Sequence, residues 1–199
     1  MTATDPLAPV LAALSRKGRD TSDFDLNPQV ALPEGRVLRP AGVLVPFLLG
    51  PRGPEVMLTK RSSRLKHHPG QIAFPGGKVD PTDADATAAA LRESHEEIGL
   101  DPINVEILGL MDPHETVTGF TVTPVLGRVI APFTPVPELG EVDEVFTVPL
   151  SHVADPARFR VEKRRWRGEW RRYYAVPYGP YYIWGATARI LRALADRME

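Results

Sequence analysis

The chain contains no cysteine, which excludes disulfides, thiolate metal sites and cysteine nucleophiles together. Long apolar runs are also missing. No stretch approaches the ~18 uncharged apolar residues of a membrane span, and the longest, Val43 to Leu49, contains Pro46. Charge of either sign is not in excess. With a net charge of -1, no overall field holds the protein on nucleic acid or anionic lipid, so any polyanion must be recognised by local clusters. Met1 to Asp5 lacks the charged and apolar blocks of a secretory signal, and a cytoplasmic location is expected. What is present is ordinary for a folded protein. A length of 199 residues at 43% hydrophobic composition suits one domain with short extensions.

Leu7, Val10, Leu11 and Leu14 recur at helical spacing, predicting a helix over Asp5 to Lys17 capped by Thr4 or Asp5. Gly18 to Arg39 is polar and proline-punctuated, so residues 1–37 read as a helix and wrapping loop ahead of a domain at 38–199. Strands are expected over Arg39 to Leu49, Glu55 to Arg61, Val105 to Leu110 and Thr121 to Ile130, with Pro124 suggesting an edge or bulge in the last. Ala131 to Gly140 reads as a loop. Further strands fall at Val145 to Pro149, Phe159 to Arg165 and Glu169 to Val176, the last two joined by a tip at Arg167-Gly168. The alanine-rich run from Pro81 or Thr82 to Ile98, stopped by Gly99, is the strongest helix, and a second spans Trp184 to Arg197. The order predicts an α/β (α+β) fold, a mixed sheet sandwiched between helices.

The mid-chain helix carries Glu93, Glu96 and Glu97. Positions three and four apart share a helical face, so these carboxylates crowd one stripe, with Arg92 spaced to tie Glu96 in place. A solvated acidic face satisfies this pattern, and so does a cradle for Mg2+ or Mn2+, hard ions that take oxygen ligands and share the remainder with substrate phosphates. The turn upstream favours the cradle. Gly76 and Gly77 follow Phe74-Pro75 and supply the backbone freedom for close approach to a phosphate or a metal shell.

Taken together, Gly77, an acidic loop and Arg92-Glu93-Ser94-His95-Glu96-Glu97-Ile98-Gly99-Leu100 resemble the Nudix box, G-x5-E-x7-R-E-U-x-E-E-x-G-U with U apolar. Arg92 comes one residue late, Asp83 stands in place of the early glutamate, and Ser94 replaces the first U. The preceding segment, Leu58 to Gly77, is similar to the motif of the coenzyme A pyrophosphatase branch, L-L-T-x-R-[S/A]-x3-R-x3-G-x3-F-P-G-G. Leu58, Thr59, Arg61, Ser62, Gly70, Phe74, Pro75, Gly76 and Gly77 fall in register, while Met57 replaces a leucine and Lys66 an arginine.

The resemblance implies a metal-dependent hydrolase that cuts the diphosphate of coenzyme A or its derivatives to 4′-phosphopantetheine and adenosine 3′,5′-bisphosphate. Glu93 and Glu97 would be metal ligands, with Glu96 a further ligand or the group orienting water. Glu144 or Glu141, expected in a loop with Asp143, would supply the base, and Glu115 is a weaker third. Arg61, Arg64 and Lys66, with Lys60, put four cations within seven residues, a patch suited to the anionic parts of coenzyme A including its 3′-phosphate. Gly70, Phe74, Gly76 and Gly77 would shape the substrate site, and His67 and His68 stay outside the metal shell. A Nudix hydrolase of ADP-ribose or NADH is the alternative within the class. Arg160 to Arg172, with seven Lys or Arg interleaved with aromatics, raises a rival outside it, an RNA-binding module. A two-stranded ribbon accounts for that pattern more simply, with aromatics inward and arginines in water.

Overall fold

The computed structural model describes residues 5–32, 34–166 and 168–199. Thr4, proposed as a cap, and Arg167 of the expected hairpin tip lie outside them. Strands and helices follow in the order α1 (Ala8–Ser15), β1 (Thr21–Ser22), β2 (Arg39–Gly50), β3 (Gly53–Arg61), β4 (Ile72–Ala73), β5 (Gly76–Lys78), α2 (Ala86–Ile98) and β6 (Val105–Leu110). Then come β7 (His114–Glu115), β8 (Phe120–Val129), β9 (Val142–Pro149), α3 (Leu150–Val153), β10 (Arg160–Trp166), β11 (Glu169–Ala175) and α4 (Ala186–Met198).

Nine strands form one mixed sheet around the parallel pair β2 and β8. On its other side β2 forks. Ala41 to Val43 pair with β5, whereas Phe47 to Gly50 pair with β3, which in turn carries β4 and β9. Helix α2 packs over β2 and β5 on one face, and α1 and α4 lie together on the other. Neighbouring strand residues point to opposite faces, and here both are covered. Leu44, Met57 and Val125 therefore join the apolar cluster under α2, while Val45, Leu58 and Leu126 join the cluster beneath α1 and α4. This two-sided burial is why alternation in β3 is imperfect.

Several boundaries differ from expectation for local reasons. Helix α2 starts at Ala86, because the Asp85 side chain accepts the Ala88 N–H at 2.9 Å and caps it there. Helix α1 is shorter than expected and leaves Leu11 38% exposed, so only one side of the stripe is core. Pro124 sits at neither an edge nor a bulge in its own strand. It lies in central β8 opposite the break between β6 and β7, where its carbonyl accepts the Met111 N–H at 3.0 Å and no ladder donor is missed. The irregularity falls in β6, between Ile107 and Gly109. Asp143 and Glu144 lie on β9 rather than in a loop, and the wrapping segment contains a strand, β1, paired in parallel with β7.

Helix and sheet touch most closely at Gly42 of β2. A Cβ there would stand 1.8 Å from the Ala86 carbonyl oxygen, so the first turn of α2 rests directly on strand backbone.

Candidate active site

Glu93 and Glu97 are one turn apart on the face of α2 that meets β5. The Gly76 N–H donates to Glu97 Oε2 at 3.1 Å, and a Cβ on Gly77 would lie 2.5 Å from the Glu93 carboxyl carbon. The glycine pair thus lets two carboxylates settle against bare backbone. Gly76, at φ 147° and with Gly42 O only 2.4 Å from where its Cβ would be, fits no other residue. Glu97 is 4% exposed, and burial pushes its carboxyl up to about 7 despite the Gly76 hydrogen bond and the Arg61 guanidinium 4.0 Å away. The charges of Glu93 and Glu141 add to that rise. Burial also raises Glu93, opposed by Arg92.

Arg92 is the hub of the acidic loop. Its guanidinium donates to both Asp83 oxygens at 3.0 and 2.9 Å, to Glu93 Oε1 at 2.9 Å, to Glu96 Oε2 at 3.1 Å and to the Lys78 carbonyl at 3.3 Å. Asp83, which stands in the early acid position, is a buried tie between loop and helix, held below its ordinary range by Arg92. The spacing that suggested Arg92 ties Glu96 in place is borne out, and the same guanidinium holds Glu93 as well, which makes it a positioning residue.

The candidate bases separate. Glu141 is near enough to raise both Glu93 and Glu97. Glu144 is not brought to that centre: it shares its face of β9 with Phe146, and its carboxylate accepts the hydroxyl of Tyr181, which stacks on Phe146 at 3.6 Å. Asp143 Oδ2 accepts the Ser63 N–H at 2.9 Å, and Glu115 is paired with Arg36 at 2.7 Å.

A cavity of about 720 Å³ lies on the far side of Arg61 from Glu97, and neither the α2 carboxylates nor Gly76 and Gly77 are among its lining residues. Arg61, Gly70 and Phe74 line it as expected, and Arg61 joins it to Glu97. Arg64 and Lys66 do not line it. They are exposed on the turn between β3 and β4. The far walls are residues that the motif did not indicate: Asp23 from the N-terminal segment, Arg164, Arg171, Arg172 and Tyr173 from the β10–β11 hairpin, and Trp184 before α4. The two-stranded ribbon is as expected, and Arg164, Arg165 and Arg172 are exposed; the departures are that Trp170 is exposed rather than inward and that Arg164 and Arg172 border the cavity. The opposed register that puts Arg164 across from Arg171 is a tertiary fact, and the excess of basic residues over 160–172 was its only sequence trace.

The NUDIX domain pattern matches residues 38–168, which include the glycine turn, α2 and Arg61. The chain belongs to the Nudix family. Relatives include the uncharacterized Nudix hydrolase NudL of Enterobacter sp. (strain 638), 45% identical over 79% of this chain and 81% of that protein. The protein of the same name from Escherichia coli (strain K12) is 44% identical over the same shares. Among solved structures, the Nudix hydrolase RenU of M. smegmatis superposes with a TM-score of 0.50 at 25% identity, covering 61% of this chain and 83% of that one. A MutT/nudix family protein from Enterococcus faecalis gives 0.52 at 18% identity, over 85% and 65%. It supports the mixed-sheet Nudix fold alone.

The Nudix helix is suited to a divalent ion by its chemistry. Among the described residues no three Asp, Glu or His side chains converge on one point as they stand. The donors are nonetheless hard carboxylate oxygens, two of them desolvated over glycine backbone, and one of these is raised by burial to about 7. A stability effect follows. Because Glu97 holds its proton to higher pH when folded than its ordinary 4.5, its contribution to the stability of metal-free protein is fully present below that pH, and about 3 kcal/mol is expected to be lost as pH rises from there through about 7. Thermal melts in chelator across about pH 4 to 8 measure this. Magnesium should abolish the slope, and a flat profile without metal would contradict it.

Proposed function

We propose that this Nudix hydrolase cleaves the diphosphate of coenzyme A or its derivatives, giving 4′-phosphopantetheine and adenosine 3′,5′-bisphosphate. The observation that carries the reading is the basic cavity joined to Glu97 through Arg61, a residue in register with the coenzyme A motif. Mg2+ or Mn2+, held by Glu93 and Glu97 with Glu96 as a further ligand, would neutralise diphosphate charge and acidify a water. The protein's own groups do the rest. Arg61 would face the diphosphate from the cavity side, Arg92 fixes the carboxylates, and Glu141 would take the proton as water oxygen bonds to phosphorus and the P–O–P bridge breaks. Arg64 and Lys66, from their exposed turn, would attract the polyanion toward the cavity mouth.

Product analysis with coenzyme A, its acyl esters, ADP-ribose and NADH, each with magnesium and with manganese, tests the substrate. A clear preference for coenzyme A or an acyl ester is expected, and equal turnover of all would overturn the reading. Since Arg61 stands 4.0 Å from Glu97, Arg61→Ala should reduce kcat/KM for coenzyme A and dephospho-coenzyme A alike, by about tenfold or more. A loss confined to coenzyme A would move Arg61 away from the diphosphate.

A further inference from the structure

The hairpin wall of the cavity carries cations that the reaction at α2 does not use. Arg164 of β10 and Arg171 of β11 are register partners, directly opposite one another, and both line the cavity. Like charges so placed repel across an antiparallel pair, and an anion seated between them bonds to both guanidinium groups. Glu162, two residues along the same face, stands opposite Tyr173 instead.

Aromatic surface lies beside these cations. The Arg164 guanidinium is 4.9 Å from the centre of the Trp184 ring, and Trp184 meets Tyr173 edge to face at 5.1 Å. Asp23 is the one acid among the described lining residues, and both its oxygens are engaged, Oδ1 with His114 Nε2 at 3.1 Å and Oδ2 with the Val117 N–H at 2.8 Å. The wall presents guanidinium next to indole and phenol, a combination that takes a phosphorylated nucleoside, the rings meeting the base and the arginines the phosphate. Asn27 holds this wall in position. Its amide accepts the Arg172 N–H at 2.8 Å and donates to the Arg172 carbonyl at 2.9 Å, so the N-terminal segment pairs with β11 main chain between Arg171 and Tyr173.

We propose that Arg164 and Arg171 form an anion subsite, separate from the diphosphate centre, that reads the phosphomonoester on the ribose of the substrate. For the proposed substrate this is the 3′-phosphate of the adenosine 3′,5′-bisphosphate portion. The identity of the ligand rests on the coenzyme A reading; the subsite itself does not.

The test is calorimetric binding of adenosine 3′,5′-bisphosphate and of AMP to the whole protein and to Arg164→Ala, Arg164→Gln and Lys163→Ala. The unaltered protein should favour the bisphosphate by about tenfold or more. Either change at Arg164 should erase that preference while leaving AMP affinity within about twofold, and Lys163→Ala, on the opposite face of β10, should keep it. Arg164→Gln preserves side-chain length, so a preference lost in it with an unchanged melting temperature answers the objection that alanine disrupts the hairpin. Equal weakening of both ligands by the Arg164 changes, or no preference in the unaltered protein, overturns the subsite. Turnover separates the two proposals. If coenzyme A is not hydrolysed but the bisphosphate preference is present and depends on Arg164, the substrate reading fails and the subsite stands. If coenzyme A is hydrolysed and Arg164→Ala lowers it and dephospho-coenzyme A equally, the subsite alone fails.

Discussion

Glu97→Gln is expected to abolish most diphosphate hydrolysis, lowering turnover by orders of magnitude, while the protein remains folded. Glutamine keeps the size of the side chain and an oxygen able to accept the Gly76 N–H at 3.1 Å, so little packing is disturbed. What it removes is a negative charge at the most deeply buried of the α2 carboxylates, where a cation meets the least competition from water. The melting temperature supplies the internal control. In chelator near pH 8, about one unit above the raised Glu97 value, the variant should melt higher than the unaltered protein, since it carries no ionised group to bury. Adding magnesium should reverse the order. An undiminished rate in the variant would remove Glu97 from the metal shell and take with it the assignment of α2 as the catalytic helix.

Gly42→Ala is expected to be strongly destabilising. Its Cβ would arrive 1.8 Å from the Ala86 oxygen and 2.8 Å from the Ala86 carbonyl carbon, both backbone atoms, so no rotamer change relieves the clash. Either β2 bends or the start of α2 lifts, at a cost of about 3 kcal/mol or more. Both outcomes move Glu93 and Glu97 relative to the glycine turn, so turnover should fall together with the thermal midpoint. Circular dichroism melts with parallel rate measurements read both. A midpoint within about a degree of the unaltered protein would mean that the helix does not rest on the strand at Gly42.

The parts legible in advance were those whose physics is local or whose motif is long. The strand over Val105 to Leu110 has the expected bounds because its limits coincide with the turn signals around it. The carboxylate helix was found from composition and its glycine stop, and its start was misjudged because Asp85, one of several acids in a row, turned out to be the cap. Two-residue strands such as β1, β4 and β7 have no periodicity to read. Glu141 and Glu144 could not be ranked without knowing that Glu144 lies on β9 facing Tyr181. The arginine wall was the largest omission. A basic, aromatic stretch says nothing about which of its residues end up opposite one another until the hairpin register is known.

The pairing of Asn27 with the main chain of Arg172 joins points 145 residues apart. During synthesis, the carboxylate helix and the central strands are complete well before β11 emerges, yet the cavity has no outer wall until the β10–β11 hairpin and Trp184 close on the segment around Asp23 and Asn27. Assembly therefore has an order: the carboxylate face is built early, and the chamber next to it is closed only when the hairpin docks on the segment around Asn27.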